Sequence, residues 1–568
     1  MRLVFLLLAV QAVFAQPLPP ISQFYKDTYE EMLRMSPELA TTRGRHEYDD
    51  RWTDWSAAAR QHKRQFFDSR LQMLKRYPDA DLTAKIIRFD FQVRLDSMEI
   101  EDYLMRVRQQ DGFHNVVYLA IDRMPARTVH DYENILARLR AVPAYIDQNL
   151  ALLNEAIAHK MTQPQTVVDV VNRQIAAQLA QDADHSALLE AFRHFPSNIP
   201  QTEQKRLLAA AKETYNTQFL SAWKKLQQYM TTTYAQHERP SDSLSSIPGG
   251  KEAYSILIRR MTTTNLSAQA IHEKGEQEVK RIEAEMQKIA AETGFTGTLA
   301  QFQEHLKEMP EQRFHSKDEM LIYCRNIAKI IEPQLPNQFR HIPMLLYGVR
   351  PIPPEREAAT ATNAQSPPPD FSAPGWFNLN TYEPQNQVKY DKESLVLHEA
   401  VPGHIFQISL AETQTQLPDI RKFYFNSAFI EGWALYAESL GSQLGLYKDP
   451  YSRYGQLASE RFRAVRLVVD TGIHQYGWTR EQAVEYFKAH APEESLAEVD
   501  RYISWPAQAL SYKMGQLQIR ELRTKAEQQL GPKFDVREFH DAVLREGTLP
   551  LEVLRDVVTD YIQTSANR

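Results

Sequence analysis

The chain has 568 residues and a formal net charge of −6, with a pI near 6.3; it exceeds one compact core and lacks the basic excess of nucleic-acid or anionic-membrane partners. Hydrophobic residues at 43% and charged residues at 24% are globular proportions and exclude wholesale disorder. Only 19 glycines, about half the usual share, disfavour a β-sandwich or a Gly-rich nucleotide-binding fold and point to a mainly α protein.

The N-terminus begins Met1-Arg2, continues with an apolar run from Leu3 to Val10, and reaches small residues at Val13 and Ala15. This pattern predicts a signal peptide over residues 1–15, cleaved after Ala15, and a periplasmic or secreted protein. The run is too short to span a bilayer, and no later segment approaches the ~20 apolar residues of a membrane helix. No cysteine stands at the expected cleavage site, so neither a lipid anchor nor a membrane partner is expected. Asn265-Leu266-Ser267 is a glycosylation sequon, relevant only in a eukaryotic source.

From Ile21 to about Gln236, apolar residues recur at three- and four-residue spacing, notably over 58–75, 132–159 and 204–229, and predict amphipathic helices. The turn-rich run 240–250 marks a boundary between an N-terminal helical subdomain, 16–240, and a C-terminal catalytic subdomain, 241–568. The charged segment 267–293 reads as a helix on a solvated outer wall. Many prolines between 333 and 384 predict loops with two or three strands, one of them at Phe377–Asn380. Helices return after Asp391, and no fixed-period repeat is present.

The sharpest chemistry lies at His398-Glu399-Ala-Val-Pro402-Gly403-His404. The chain has one cysteine, Cys324, so a metal must sit on histidines and carboxylates. A zinc hydrolase needs neutral imidazoles, a carboxylate to take the proton of an attacking water, and an open coordination position. Here the histidines are six apart rather than four. On a continuous helix His404 would point roughly 120° away from His398, so Pro402-Gly403 must bend the chain back. Of four His-Glu pairs, the other three, at His46, His237 and His272, are expected at the surface. Glu431 and Glu438 lie seven apart on one face of an apolar helix, and buried carboxylates call for a cation. Glu431 is read as third ligand to one Zn2+ per chain, with His474 as alternative; Glu438 is read as a hydrogen-bond partner of a ligand histidine.

Arg463, Arg466, Asp470 and His474 share a helix face. Beside a metal they would line a substrate channel, His474 polarising the scissile carbonyl and an arginine holding a carboxylate. Asp470 joins Glu438 as a supporting residue. The stretch Asp500–Gly515 reads as a helix started by Pro506, with Tyr502 and Tyr512 as oxyanion donors and Lys513 as a partner for a peptide C-terminus. Such a metal centre attacks any positioned carbonyl, so a cell-wall amide or lactam remains an alternative substrate. A metal-bearing binding or scaffold protein without turnover is the non-enzymatic alternative.

Together, His398–His404, Glu431–Glu438, Val469–His474 and Tyr512–Gly515 resemble the gluzincin-like bacterial family known as domain of unknown function 885. Ser36–Thr41, Gly44–Arg51 and Pro343–Pro354 fit too, so the resemblance covers essentially the whole mature chain. More distantly, the layout is similar to the helical peptidases related to angiotensin-converting enzyme and thimet oligopeptidase. The resemblance implies a deep central channel and zinc held by two histidines and a glutamate. It further implies Glu399 as general base and Tyr502 or His474 stabilising the oxyanion. The resulting expectation is an exported zinc metallopeptidase acting on short peptides, carboxypeptidase- or dipeptidase-like.

Overall fold

The computed structural model describes residues 18–77, 81–344, 346–353, 357, 361–367 and 373–568, so the expected signal peptide lies outside the described residues. The protein is mainly helical, with one small sheet. Among the described residues no helix is long and apolar enough to cross a membrane.

The N-terminal amphipathic segments fold as helices that start where a side chain can satisfy the first free backbone N–H groups. Ser56 accepts from the Ala59 N–H at the start of Ala57–Leu74. Thr128 and Asp131 form a reciprocal capping box at Val129–Arg140. The expected helix 132–159 is two helices, Val129–Arg140 and Val142–Ala158. Pro143 opens the second, where its missing N–H costs little. The segment 204–229 becomes Gln201–Thr214 and Leu220–Thr232 joined by a π-turn at Tyr215–Phe219.

The second half supplies α1 (Ala268–Glu292), β1 (Tyr347–Pro351), β2 (Asn363–Gln365), β3 (Gly375–Leu379), α2 (Lys392–Glu399), α3 (His404–Glu412), α4 (Ser427–Glu438), α5 (Pro450–His474), α6 (Ala497–Ser504) and α7 (Ser511–Leu530). The sheet has strand order β1-β3-β2, with β1 parallel and β2 antiparallel to β3; Val349 pairs with Phe377 and Ala364 with Phe377. Charged α1 exposes one face, including Glu273, Lys274, Glu276, Lys280 and Lys288, as expected of an outer wall, and buries the other. It packs along α5 and buries Ile271, Val279, Ile282, Met286 and Ile289. Those apolar residues form one stripe that burial stabilises while the charged residues opposite stay in solvent.

One hydrophobic core joins Val117, Ile146 and Trp223 from before residue 240 to Val279, Phe462, Val469 and Ile503 from after it. The chain therefore continues through the turn-rich run without interrupting its core. His272 is not at the surface: it is mostly buried, with Nδ1 2.8 Å from the Thr471 hydroxyl. A cleft of about 730 Å³ lies among the N-terminal helices, and its walls include none of His398, His404 and Glu431.

Candidate metal centre

The six-residue histidine spacing is resolved by ending one helix and starting another. Glu399 closes α2; Ala400 (φ −100°, ψ −97°) and Gly403 (φ −73°, ψ −130°) leave helical geometry, and His404 opens α3. The Val401–Pro402 peptide is cis. Gly403 is required by space rather than by φ. A Cβ there would lie 1.9 Å from the His398 carbonyl oxygen and 2.4 Å from that of Leu397. The Trp433 indole N–H donates to the Pro402 carbonyl at 2.8 Å, so α4 also holds this connection in place.

The turn brings His398 and His404 together, with ring centroids 4.8 Å apart and planes at 88°. Their Nε2 atoms stand 3.6 and 3.3 Å from Glu431 Oε2. Two ligands at about 2.0–2.1 Å from one tetrahedral ion stand about 3.4 Å apart, so these separations suit one small cation. Glu431 Oε2 is buried and receives no hydrogen bond from the described residues, which is costly for a carboxylate unless a cation meets it. The donor set, two imidazoles and one carboxylate, is one of those found in metal sites with an open coordination position.

Helical spacing of seven lets α4 hold both sides of one imidazole. Glu431 faces His398 Nε2, and Glu438 Oε1 accepts from Nδ1–H at 2.8 Å. That bond fixes the tautomer with Nε2 turned toward the site. Burial alone would lower the His398 pKa, but Glu431 and Glu438 outweigh it and raise it to about 9. Burial acts to raise Glu431, yet the two histidines hold it well below the usual carboxylate range. Burial pushes Glu399 up; it is half-buried and feels the charges of both histidines and Glu431.

A second close approach places Tyr512. At Gly432 a Cβ would come within 2.4 Å of Gly515 Cα, and at Gly515 within 1.8 Å of the Ala428 carbonyl oxygen. Helices α4 and α7 therefore touch backbone to backbone, which brings Tyr512 within the electrostatic reach of Glu431. Burial first, and the Glu431 charge next, raise the Tyr512 phenol. The Arg466 guanidinium lies 4.4 Å from the Tyr512 ring centre. Arg463 Nη2 is 3.8 Å from Glu438. Arg463 Nε and Arg466 Nη1 are buried without a hydrogen-bond partner among the described residues.

Four other expected site residues are committed elsewhere. His474 neither joins the candidate centre nor offers a free proton: its Nε2–H donates to the Tyr502 carbonyl at 2.9 Å, and its Nδ1 accepts from the Leu244 N–H at 3.1 Å. Burial lowers its pKa to about 3, so it is neutral. Asp470 supports the fold rather than a metal ligand, accepting from the Tyr254 hydroxyl at 2.6 Å and the Ala507 N–H at 3.1 Å. The Tyr502 hydroxyl donates to Glu498 at 3.0 Å and accepts from Arg466 at 3.1 Å, so it is no free oxyanion donor. Fully buried Lys513 spends its three protons on Glu460 at 2.7 Å, Glu278 at 2.8 Å and Gln516 at 2.8 Å. The expected Pro506-started helix is instead a break between α6 and α7. There Ala507 takes φ +68° while donating to Asp470.

The sequence reading missed Glu498, which pairs with Arg466 at 2.9 Å and Arg501 at 2.8 Å, and nearby Glu494. Burial raises Glu498, but Arg466 and Arg501 outweigh it and bring it to about 2. Glu494 is pushed up to about 7, by burial first and by neighbouring Glu493 next, against the pull of Arg463. The signal was present in the acids Glu493, Glu494 and Glu498 just before Arg501, since a buried arginine cluster needs counter-charges.

Fold and site define a large helical protein with a two-histidine, one-glutamate candidate metal centre. The chain belongs to the family described as bacterial protein of unknown function (DUF885), whose model matches residues 37–558. Among solved structures it is similar to a candidate lipoprotein from Colwellia psychrerythraea, at 25% identity and TM-score 0.90, over 96% of this chain and 99% of that one. It shares its fold with a candidate lipoprotein of unknown function from Shewanella oneidensis, at 18% identity and TM-score 0.72, over 95% of this chain and 100% of that one. No curated protein matches the chain.

Proposed function

We propose that this protein is an exported zinc metallopeptidase that hydrolyses short peptides. The observation that carries the reading is the Glu431 carboxylate between two imidazoles at 3.3 and 3.6 Å, with Glu399 adjoining His398 in sequence. Bound zinc would supply Lewis acidity to water and to the scissile carbonyl. His398, His404 and Glu431 would hold it, and Glu438 would orient His398. Glu399 takes a proton from the attacking water and passes it to the leaving amine; burial raises its pKa toward that task. Tyr512 donates to the carbonyl oxygen as negative charge develops there. The unpartnered N–H groups of Arg463 and Arg466 receive a substrate carboxylate, which favours cleavage near a free C-terminus. Export is supported by the signal-like N-terminus and by relatives described as candidate lipoproteins.

The test is metal content of the purified protein by mass spectrometry, with His398→Ala alongside, followed by short peptides with free and amidated C-termini and cell-wall amides. About one zinc per chain, lost in the variant, together with cleavage of free peptides, is the expected result. A protein that neither retains nor takes up zinc overturns the metal assignment. Zinc binding with cleavage of only the cell-wall amides overturns the peptide assignment.

A further inference from the structure

The N-terminal helices enclose charges that the metal centre does not use. The 730 Å³ cleft has a size suited to a small molecule. It lies among helices Ala57–Leu74 and Leu82–Glu99, the chain at Arg106, and helix Gly250–Thr262. Eight arginines and lysines and five acids line it, and further acids behind the wall pair Arg51, Arg60 and Arg94. Trp55 and Tyr103 are among its lining residues, and the Arg60 guanidinium lies 4.8 Å from the Tyr103 ring centre. The Arg106 guanidinium sits 4.0 Å from the Trp55 ring centre and Lys63 Nζ 5.7 Å from the same ring.

Most of these cations are already paired: Arg60 with Glu155 at 2.9 Å and Arg94 with Asp90 at 2.7 Å. Lys63 and Arg106 differ. Among the described residues neither has a carboxylate within salt-bridge distance, and Arg106 Nε has a neutral partner, Asn149 Oδ1, at 2.5 Å. Burial, followed by the Arg94 charge, lowers the Lys63 ammonium to about 8. Both cations lie over the Trp55 ring and the Arg106 charge acts on Lys63, so an anion between them would relieve their repulsion. Glu38 and Asp102 also act on Lys63, and they disfavour a multiply charged guest such as phosphate.

We propose that this cleft is a second ligand site, independent of the metal centre, that binds a monocarboxylate with an aromatic or apolar body. Its carboxylate sits between Lys63 Nζ and the Arg106 guanidinium, and its body packs against Trp55 and Tyr103.

Isothermal titration with indole-3-acetate, indole-3-acetamide, tryptamine and inorganic phosphate tests this on the full protein. Indole-3-acetate is expected to bind, and the neutral amide, the cation and phosphate to bind at least about tenfold more weakly, the loss of one charge-assisted contact. Lys63→Met should weaken indole-3-acetate about tenfold while Lys63→Arg retains it. Binding should be unchanged in His398→Ala, which separates this site from the metal centre. No binding of indole-3-acetate at millimolar concentration, equal binding of the amide, or an unchanged Lys63→Met variant overturns the proposal. Preferential binding of phosphate overturns the carboxylate assignment.

Discussion

Replacing Gly403 by alanine tests how this chain makes one centre from histidines six apart. The added Cβ would lie 1.9 Å from the His398 carbonyl oxygen, where real Cβ contacts essentially never fall below 3.0 Å. The backbone must therefore yield by at least 3.0 − 1.9 = 1.1 Å. The crowded atoms are main-chain atoms at the end of α2 and cannot rotate away. The shift falls on the two helix ends that carry the histidines, whereas metal–ligand distances tolerate only about 0.2 Å. Gly403→Ala should lose tight zinc binding and about 3 kcal/mol of stability or more. Gly44→Ala is the control: nothing lies within 4 Å of its Cβ, but φ is +70°, so it should cost about 1 kcal/mol and keep the metal. Competition with a chromophoric chelator, beside thermal unfolding and circular dichroism, reads both quantities. A folded Gly403→Ala protein with wild-type zinc affinity would refute the argument.

Three further outcomes follow from the same geometry. Glu438→Ala frees His398 Nδ1 and should weaken zinc about 10- to 100-fold in the chelator assay; unchanged affinity would remove Glu438 from the centre. On a cleaved peptide, Glu399→Gln should lower kcat about 10³-fold and Tyr512→Phe about 100-fold, each with zinc content intact. Loss of zinc in either would assign it a structural role instead. Buried His474 and His540 have pKa values lowered to about 3 by burial, so the unfolded chain binds more protons than the folded one below pH 6.5. Stability should fall as pH drops from 6.5 toward 3, with each histidine contributing on the order of 4 kcal/mol at the acid end. In denaturant titrations across that range His474→Gln should remove about one proton from the slope.

Local pattern and composition determined the helical class, the strand at β3 and the pairing of Glu431 with Glu438 on one face of α4. These properties depend on residues a few positions apart, so periodicity and side-chain chemistry make them legible. The same logic singled out His398, Glu399 and Glu431. Only the tertiary structure decided which of the remaining polar residues face the centre. Arg463, Asp470 and His474 share a stripe on α5, yet Arg463 approaches Glu438, while Asp470 and His474 tie α5 to Tyr254, Ala507, Leu244 and Tyr502. A periodic stripe specifies a face but not what packs against it. The packing of the apolar stripe of α1 along α5 and the pairing of Lys513 with Glu278 and Glu460 likewise depend on residues 53 or more positions away. Pro402 and Gly403 marked where the helix must break. The direction of the break was set by Trp433 and the crowded carbonyls of Leu397 and His398, because contacts between helices set the angle at which one chain segment re-enters another.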